Sequence, residues 1–304
     1  MNILINGIKS FTGVHLALGL AKKNFNLFII SSRQNTKLTS EQFQMYEYIS
    51  KLDNIRLLEL DSYENIENKI LKIIPKVKYD AVILHGYQAA NYKSPEYDFL
   101  NCSRNSISWY FALQKNDIFN NETKLFYTGS YYQNSETEIT PYALSKKISW
   151  LTLKSLSISN SKYHYLFPNP FGYGESERLC FTLLKSWFND KAFEIGAPNL
   201  IRDNIPINFL IEDYINFIEE RLKGNITENM EFSPSYYVHT NKEFIELIKL
   251  NLVKYYPHLK CELKIPNKAI LISDSITGKS LIRNKYLHKE DLFWEEYFQS
   301  SCSR

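Results

Sequence analysis

Tyr142 and Lys146 stand four residues apart in the stretch PYALSKK, residues 141–147. On a helix, positions i and i+4 share one face, so this pair could carry a proton transfer. A free tyrosine has a pKa of about 10 and is a poor acid or base at neutral pH. An ammonium group one turn away stabilises the phenolate and lowers that pKa. Ser130, twelve residues earlier, closes a predicted strand and could hydrogen-bond the same substrate oxygen. The spacing alone decides nothing, because among 22 tyrosines it recurs at Tyr256–Lys260. That second pair encloses Pro257 and follows no strand-end serine, so it reads as a loop or a helix start.

A second group of residues suits a phosphate. In INGIKSFTG (5–13), Gly7 permits a tight turn after a strand, and Gly13 permits close packing of the helix that follows. Ser10 stands where a middle glycine would let a pyrophosphate approach; its hydroxyl could itself donate to phosphate. The helix start at Phe11–Thr12 would add backbone N–H groups. The second strand ends Ser31-Ser32-Arg33, with no acid until Glu41. A ribose 2′-OH calls for an acid there, whereas Ser32 and Arg33 suit a 2′-phosphate, which points to NADP(H). Asp61 and Ser62, ending the third strand, are expected beside the adenine. His85, Gly86 and Tyr87, at the end of the fourth, are assigned to the cofactor as well.

These residues need a frame that brings strand ends together. Short apolar runs alternate with amphipathic stretches: strands at 2–7, 27–33, 55–61, 79–86, 124–130 and 163–169, with helices near 12–23, 40–52, 63–74, 95–115 and 142–159. That alternation predicts an α/β protein, a doubly wound parallel sheet with helices on both faces. Elements become irregular after NPFGYGE (169–175). We therefore expect a dinucleotide-binding domain over 1–170 and a smaller mixed α/β substrate-binding cap over 171–304, with a segment near 202–220 returning to the first domain.

Composition narrows the classes. A formal net charge of +3, without a dense basic stripe, argues against a nucleic-acid partner. Cys102, Cys180, Cys261 and Cys302 show no C-x-x-C spacing, so no metal or redox site is expected and the thiols read as free. No apolar run reaches membrane-spanning length and no leader pattern opens the chain, so the expectation is a soluble, cytoplasmic protein with no membrane partner.

The order Gly7-x-x-Ser10-Phe11-x-Gly13, Ser130, Tyr142-x-x-x-Lys146 and Asn169-Pro170-Phe171-Gly172 resembles the extended short-chain dehydrogenase/reductases, the nucleotide-sugar epimerases, dehydratases and reductases. RDNIPINFLIED (202–213) resembles the family's later arginine segment, where the arginine is usually followed by an aromatic, Ile and His. The resemblance implies a Rossmann-like fold. It makes Tyr142 the general acid/base, Lys146 the residue that tunes it and holds the nicotinamide ribose, and Ser130 the residue that orients the carbonyl. Asn101 matches the family's asparagine near the site. Tyr131 and Asn169 are assigned to the substrate, and Arg202 to its diphosphate. A homodimer through a four-helix bundle is implied too, with Trp109, Tyr110 and Phe111 on one helix and Trp150, Leu151 and Leu153 on the next as candidates for it.

Departures select within the family. The stretch TGSYYQNSETEITPYALSK resembles the short loop of CDP-paratose and CDP-abequose synthases, which reduce a 4-keto sugar. Tyr131-Tyr132 stand where dehydratases carry Asp-Glu. No cysteine matches the extra acid–base pair of the GDP-fucose-synthase-like enzymes. The expected activity is NADPH-dependent reduction of a nucleoside-diphosphate-linked keto sugar. The alternatives are a 4-epimerase with bound NAD and a non-catalytic dinucleotide-binding module.

Overall fold

The structure is a computed structural model and describes residues 1–32, 38–60, 66–86, 94, 96–115, 118–120, 122–135, 140–156, 161–224, 230–265 and 275–302. It divides into two compact units, one of residues 1–167 and 211–232, the other of 168–210 and 233–304.

The first unit alternates strand and helix: β1 (Asn2–Asn6), α1 (Phe11–Lys22), β2 (Asn26–Ser32), α2 (Ser40–Ile49), β3 (Ile55–Leu60), α3 (Ile66–Ile73), β4 (Ala81–Leu84), α4 (Phe99–Gln114), β5 (Lys124–Ser130), α5 (Pro141–Ser155) and β6 (Lys162–Phe167). The returning stretch adds most of the helix Ile207–Lys223 and a strand, Met230–Phe232. The sheet runs Met230–Phe232, β6, β5, β4, β1, β2, β3, with every pair parallel. This is the Rossmann-like, doubly wound sheet expected from the alternation. Central strands β4, β5 and β6 are buried on both faces, as parallel strands covered by helices must be. Edge strand β3 alternates buried and exposed positions instead.

One face of the sheet packs Leu4, Val82, Leu84, Leu125 and Tyr127 against α3, α4 and α5. Trp109, Tyr110, Trp150 and Leu153 belong to this core, which corrects their assignment to an interface between helix pairs. Leu100 and Leu151, on the same helices, are 67% and 54% exposed. Small residues let α4 and α5 approach: Ser103 Oγ donates to the Ser145 carbonyl, and Ser145 and Ser149 are fully buried. The other face is covered in part by the helix Ile207–Lys223, whose Phe217 packs edge-on against Phe126. Lys124 Nζ donates to the carbonyls of Arg221 and Gly224, closing the C-terminal end of that helix.

Capping residues set where helices begin. Thr39 and Gln42 form a reciprocal capping box on α2. Asp98 accepts from Asn101 N, so α4 starts at Phe99 rather than near 95.

The second unit is smaller and mixed. Its sheet joins β7 (Asn169–Phe171), β8 (Ile201–Pro206), the antiparallel strand Tyr237–Thr240 and the short strand Ser275–Ile276. Asp203 is fully buried and accepts from Tyr236 N and Gly278 N, tying three segments together. An aromatic cluster of Phe171, Tyr237, Phe244, Phe293 and Trp294 fills its core.

Candidate active site

Strand order reverses between β1 and β4, and such sheets bind ligands outside the carboxyl ends of the strands at that point. Gly7 follows β1 with a positive φ of 79°, a conformation that favours glycine. A side chain on Gly7 would collide with the backbone of Gly86, and one on Gly13 with the Gly7 carbonyl. Asn6 Oδ1 accepts from Gly86 N at 2.7 Å, so the turn after β1 is tied directly to the end of β4. Ser10 caps α1: its Oγ accepts from Gly13 N at 3.1 Å and donates to Gly7 O at 3.0 Å. The serine hydroxyl thus turns into its own loop, and its proton is committed to Gly7 rather than presented outward.

A chain of hydroxyls and one imidazole runs from this loop to β5. Thr12 Oγ1 lies 3.0 Å from His85 Nε2, and His85 Nδ1 lies 3.1 Å from Thr128 Oγ1. Thr128 Oγ1 in turn lies 3.1 Å from Tyr214 Oη. His85 is 7% exposed, and burial, with Lys146 adding to it, pushes its pKa down to about 3. A neutral imidazole has one donor and one acceptor nitrogen, which is what two flanking hydroxyls require. His85, assigned to the cofactor from the sequence, has both ring nitrogens on protein hydroxyls.

The catalytic candidates are set by the start of α5. Thr140 Oγ1 accepts from Ala143 N, and Pro141 occupies the first helical turn. Tyr142, half-buried, therefore falls in that turn, and Lys146 one turn on. Lys146 is 4% exposed, and its Nζ donates to the Thr128 carbonyl at 2.8 Å. The same Nζ stands 5.8 Å from the Tyr142 ring centroid and 5.6 Å from that of Tyr127. Burial lowers its pKa to about 7. Ser130 closes β5 and is nearly buried; Gln133 Oε1 accepts from its N–H at 2.7 Å, across the short 3₁₀ turn Tyr131–Asn134. Ser130 thus stands at the carboxyl end of β5, and Tyr142 and Lys146 in the first two turns of α5, with Lys146 fixed to the Thr128 carbonyl. Such a set can move a proton at a carbonyl or hydroxyl oxygen.

The other expected residues divide. Phe11, the first residue of α1, is buried. Tyr131 is buried with its ring 4.5 Å from that of Tyr132. Asn101 is exposed on the first turn of α4. Asn169 and Arg202 lie in the second unit, on β7 and β8; Arg202 Nη1 donates to the Ile201 carbonyl. Ser32 closes β2. Arg33, Asp61, Ser62 and Tyr87 lie outside the described residues. Sequence reasoning passed over Asn6, Thr128, Gln133 and Tyr214, and took Thr12 for its backbone N–H and not for its hydroxyl. Only Thr128 carried a local signal, two residues before Ser130 and hence on the same side of the strand.

No family model matches the chain, and the search of curated proteins found no match. Solved structures do match. The fold is shared with solved nucleotide-sugar epimerases and dehydratases. A UDP-glucose 4-epimerase from Bifidobacterium longum in complex with NAD+ and UDP is 13% identical, with a TM-score of 0.69 over 99% of this chain and 97% of that one. A UDP-glucuronic acid 4-epimerase from Bacillus cereus, in complex with UDP-glucuronic acid and NAD, is also 13% identical, with a TM-score of 0.69 over 99% of each chain. A dTDP-glucose 4,6-dehydratase from Bacillus anthracis in complex with NAD is 14% identical, with a TM-score of 0.66 over 100% of this chain and 96% of that one. At these identities the likeness is one of fold. No helix among the described residues is long and apolar enough to cross a membrane, and no group of three or more metal-binding side chains occurs among them.

Proposed function

We propose that the protein is a nicotinamide-dinucleotide-dependent enzyme acting on a nucleotide sugar, and specifically a reductase of a keto sugar carried on a nucleoside diphosphate. The observation that carries this reading is the buried Lys146 amine, fixed on the Thr128 carbonyl and facing the Tyr142 ring. A binding module has no use for an ammonium held at that cost beside a tyrosine.

The residues present fit a dinucleotide. Gly7 places no side chain at the turn after β1, and α1 opens directly beyond it at Phe11 and Thr12, with the Gly13 N–H capped by Ser10. Gly7, Gly13 and the first turn of α1 would hold the pyrophosphate, and Lys146 the nicotinamide ribose. Ser32 and Arg33 would hold a 2′-phosphate; Asp61, Ser62 and Tyr87 belong to the same assignment. When bound, the cofactor supplies hydride to the sugar carbon. Tyr142 Oη delivers the proton to the sugar oxygen, Lys146 stabilises the phenolate left behind, and Ser130 Oγ orients the oxygen. Asn169 and Arg202, in the second unit, are the amide and guanidinium assigned to sugar and diphosphate. The homodimer is part of the same reading, with Leu100 and Leu151 as the exposed apolar residues it would cover; light scattering on the eluting protein tests it.

A second reading, a 4-epimerase with retained NAD, has a specific observation behind it: structurally similar epimerases were solved with NAD. The carboxyl end of β2 favours the first reading, because it closes on Ser31 and Ser32 and the sequence carries no acid from there until Glu41. Titration with NADPH and NADH, after release of any copurified nucleotide, separates the two. An empty site that prefers NADPH supports the reductase. Tight copurified NAD overturns it in favour of the epimerase, and binding of neither overturns both.

A further inference from the structure

Asn204 lies on β8 directly opposite Asn169 on β7. In the arginine segment it takes the place next to Arg202-Asp203 where the family resemblance leads one to expect an aromatic. It is 1% exposed, and its Oδ1 is 2.6 Å from Asn169 Nδ2. In that sense of the pair, Asn204 Nδ2 is buried with no acceptor. A buried amide N–H without an acceptor costs more than an under-satisfied carbonyl, and native proteins rarely keep one.

The orphan has a simple resolution. Oxygen and nitrogen of an amide exchange places when the group turns over, and the hydrogen-bond network decides between the two senses. If both amides turn, Asn204 Nδ2 donates to Asn169 Oδ1 across the same gap. The buried group left over is then the Asn204 carbonyl, the less costly of the two. Asn169, half-buried, keeps its own Nδ2 for whatever approaches from outside.

We propose that Asn204 is a positioning residue that fixes Asn169 as a hydrogen-bond donor, selecting an acceptor oxygen of a nucleoside diphosphate or its sugar. This rests on the assignment of Asn169 to the substrate made above. Asn204 touches no ligand in this account; it sets the polarity of a neighbour that does. The short amide at 204 meets Asn169 amide to amide across paired strands, which a phenylalanine there could not do.

Two measurements test it. The first needs no ligand: proton exchange of the side-chain amides in 15N-labelled protein, assigned through Asn169→Asp and Asn204→Leu. Both Asn169 amide protons should exchange quickly; one slowed Asn169 proton, held by Asn204, would overturn the proposal. The second is calorimetric binding of UDP, dTDP, CDP and GDP at pH 8, carrying forward the one that the parent binds. Asn204→Asp presents an acceptor only, turns Asn169 around and should weaken binding at least about tenfold. Asn204→Leu leaves Asn169 able to turn either way and should weaken it only about threefold. A packing role predicts the reverse order, since Asp is the closer isostere; that order, or unchanged binding in Asn204→Asp, contradicts the proposal. A parent that binds none of the four removes the substrate assignment of Asn169, while the exchange pattern still decides the orientation of the pair. Melting curves on both variants confirm folding.

Discussion

Two regions of this chain carry the same Tyr-x-x-x-Lys spacing, and the fold treats them differently. Tyr142 and Lys146 open α5, capped by Thr140, and the lysine is buried with its amine on Thr128 O. Tyr256 and Lys260 follow the end of the helix Asn241–Tyr255, where Tyr256 has φ −130° and ψ 69°, and Lys260 is exposed. Their side chains share no helix face, so neither can tune the other. The spacing is therefore only a permission. What sets the first pair apart is a helix that begins one residue before the tyrosine and a burial that fixes the lysine.

The largest expected effect follows from that difference. Tyr142→Phe should lower turnover by about 10²–10⁴-fold, the range for a lost general acid, while dinucleotide affinity stays within about threefold. Tyr256→Phe should leave both unchanged. Steady-state kinetics with parallel cofactor titration reads this, and equal losses in the two variants would erase the distinction.

Lys146→Met sharpens the comparison because activity and stability should move in opposite directions. Turnover should fall about 10²-fold. A base whose folded pKa is lowered to about 7 binds its proton less readily than in the unfolded chain. Its burial therefore costs most below about pH 7, and the cost fades as pH rises toward the unfolded value. The variant should melt higher than the parent at pH 6, with the gap closing toward pH 10, whereas Lys260→Met should move neither. A lower melting temperature for Lys146→Met at pH 6 would show that the amine is stabilising as placed.

The hydroxyl–imidazole chain predicts a smaller effect. His85→Phe removes both links of His85, to Thr12 and to Thr128, and should weaken turnover and dinucleotide binding by at most about thirtyfold, reading each hydrogen bond at about 1 kcal/mol. A histidine held near pKa 3 destabilises the fold as pH drops from about 6.5 toward 3, because the unfolded chain takes up the proton first. Chemical denaturation across that window should show a shallower pH dependence in His85→Phe than in the parent.

Ser10→Gly should do least. It removes a cap hydroxyl already bonded within its own loop, at a cost of a few tenths of a kcal/mol, and should leave dinucleotide binding within about threefold. A gain of tenfold or more would mean that the hydroxyl obstructs the phosphate after all.

Much of the first unit was legible because parallel strands covered on both faces must be apolar throughout and must alternate with helices. The strand-end glycines, Ser130 and Tyr142–Lys146 are local patterns, and local patterns survive in sequence. The links between them do not. Thr12, His85, Thr128 and Tyr214 come from four elements, and nothing in any one of them announces the other three. Gln133 holds the Ser130 N–H only because the chain makes a 3₁₀ turn after β5. Large side chains on several helix faces suggested an interface, but Trp109 and Trp150 fill a wide core instead. Asn204 reads as a departure in a motif until its pairing with Asn169 is seen.

In the proposed reaction Tyr142, and not its look-alike Tyr256, delivers the proton. The most direct measurement is the fall in nicotinamide absorbance when parent, Tyr142→Phe and Tyr256→Phe proteins, each loaded with NADPH, meet a panel of nucleoside-diphosphate 4-keto-6-deoxyhexoses. The parent and Tyr256→Phe should oxidise NADPH with at least one member of the panel, and Tyr142→Phe almost none. Undiminished oxidation by Tyr142→Phe would contradict that role.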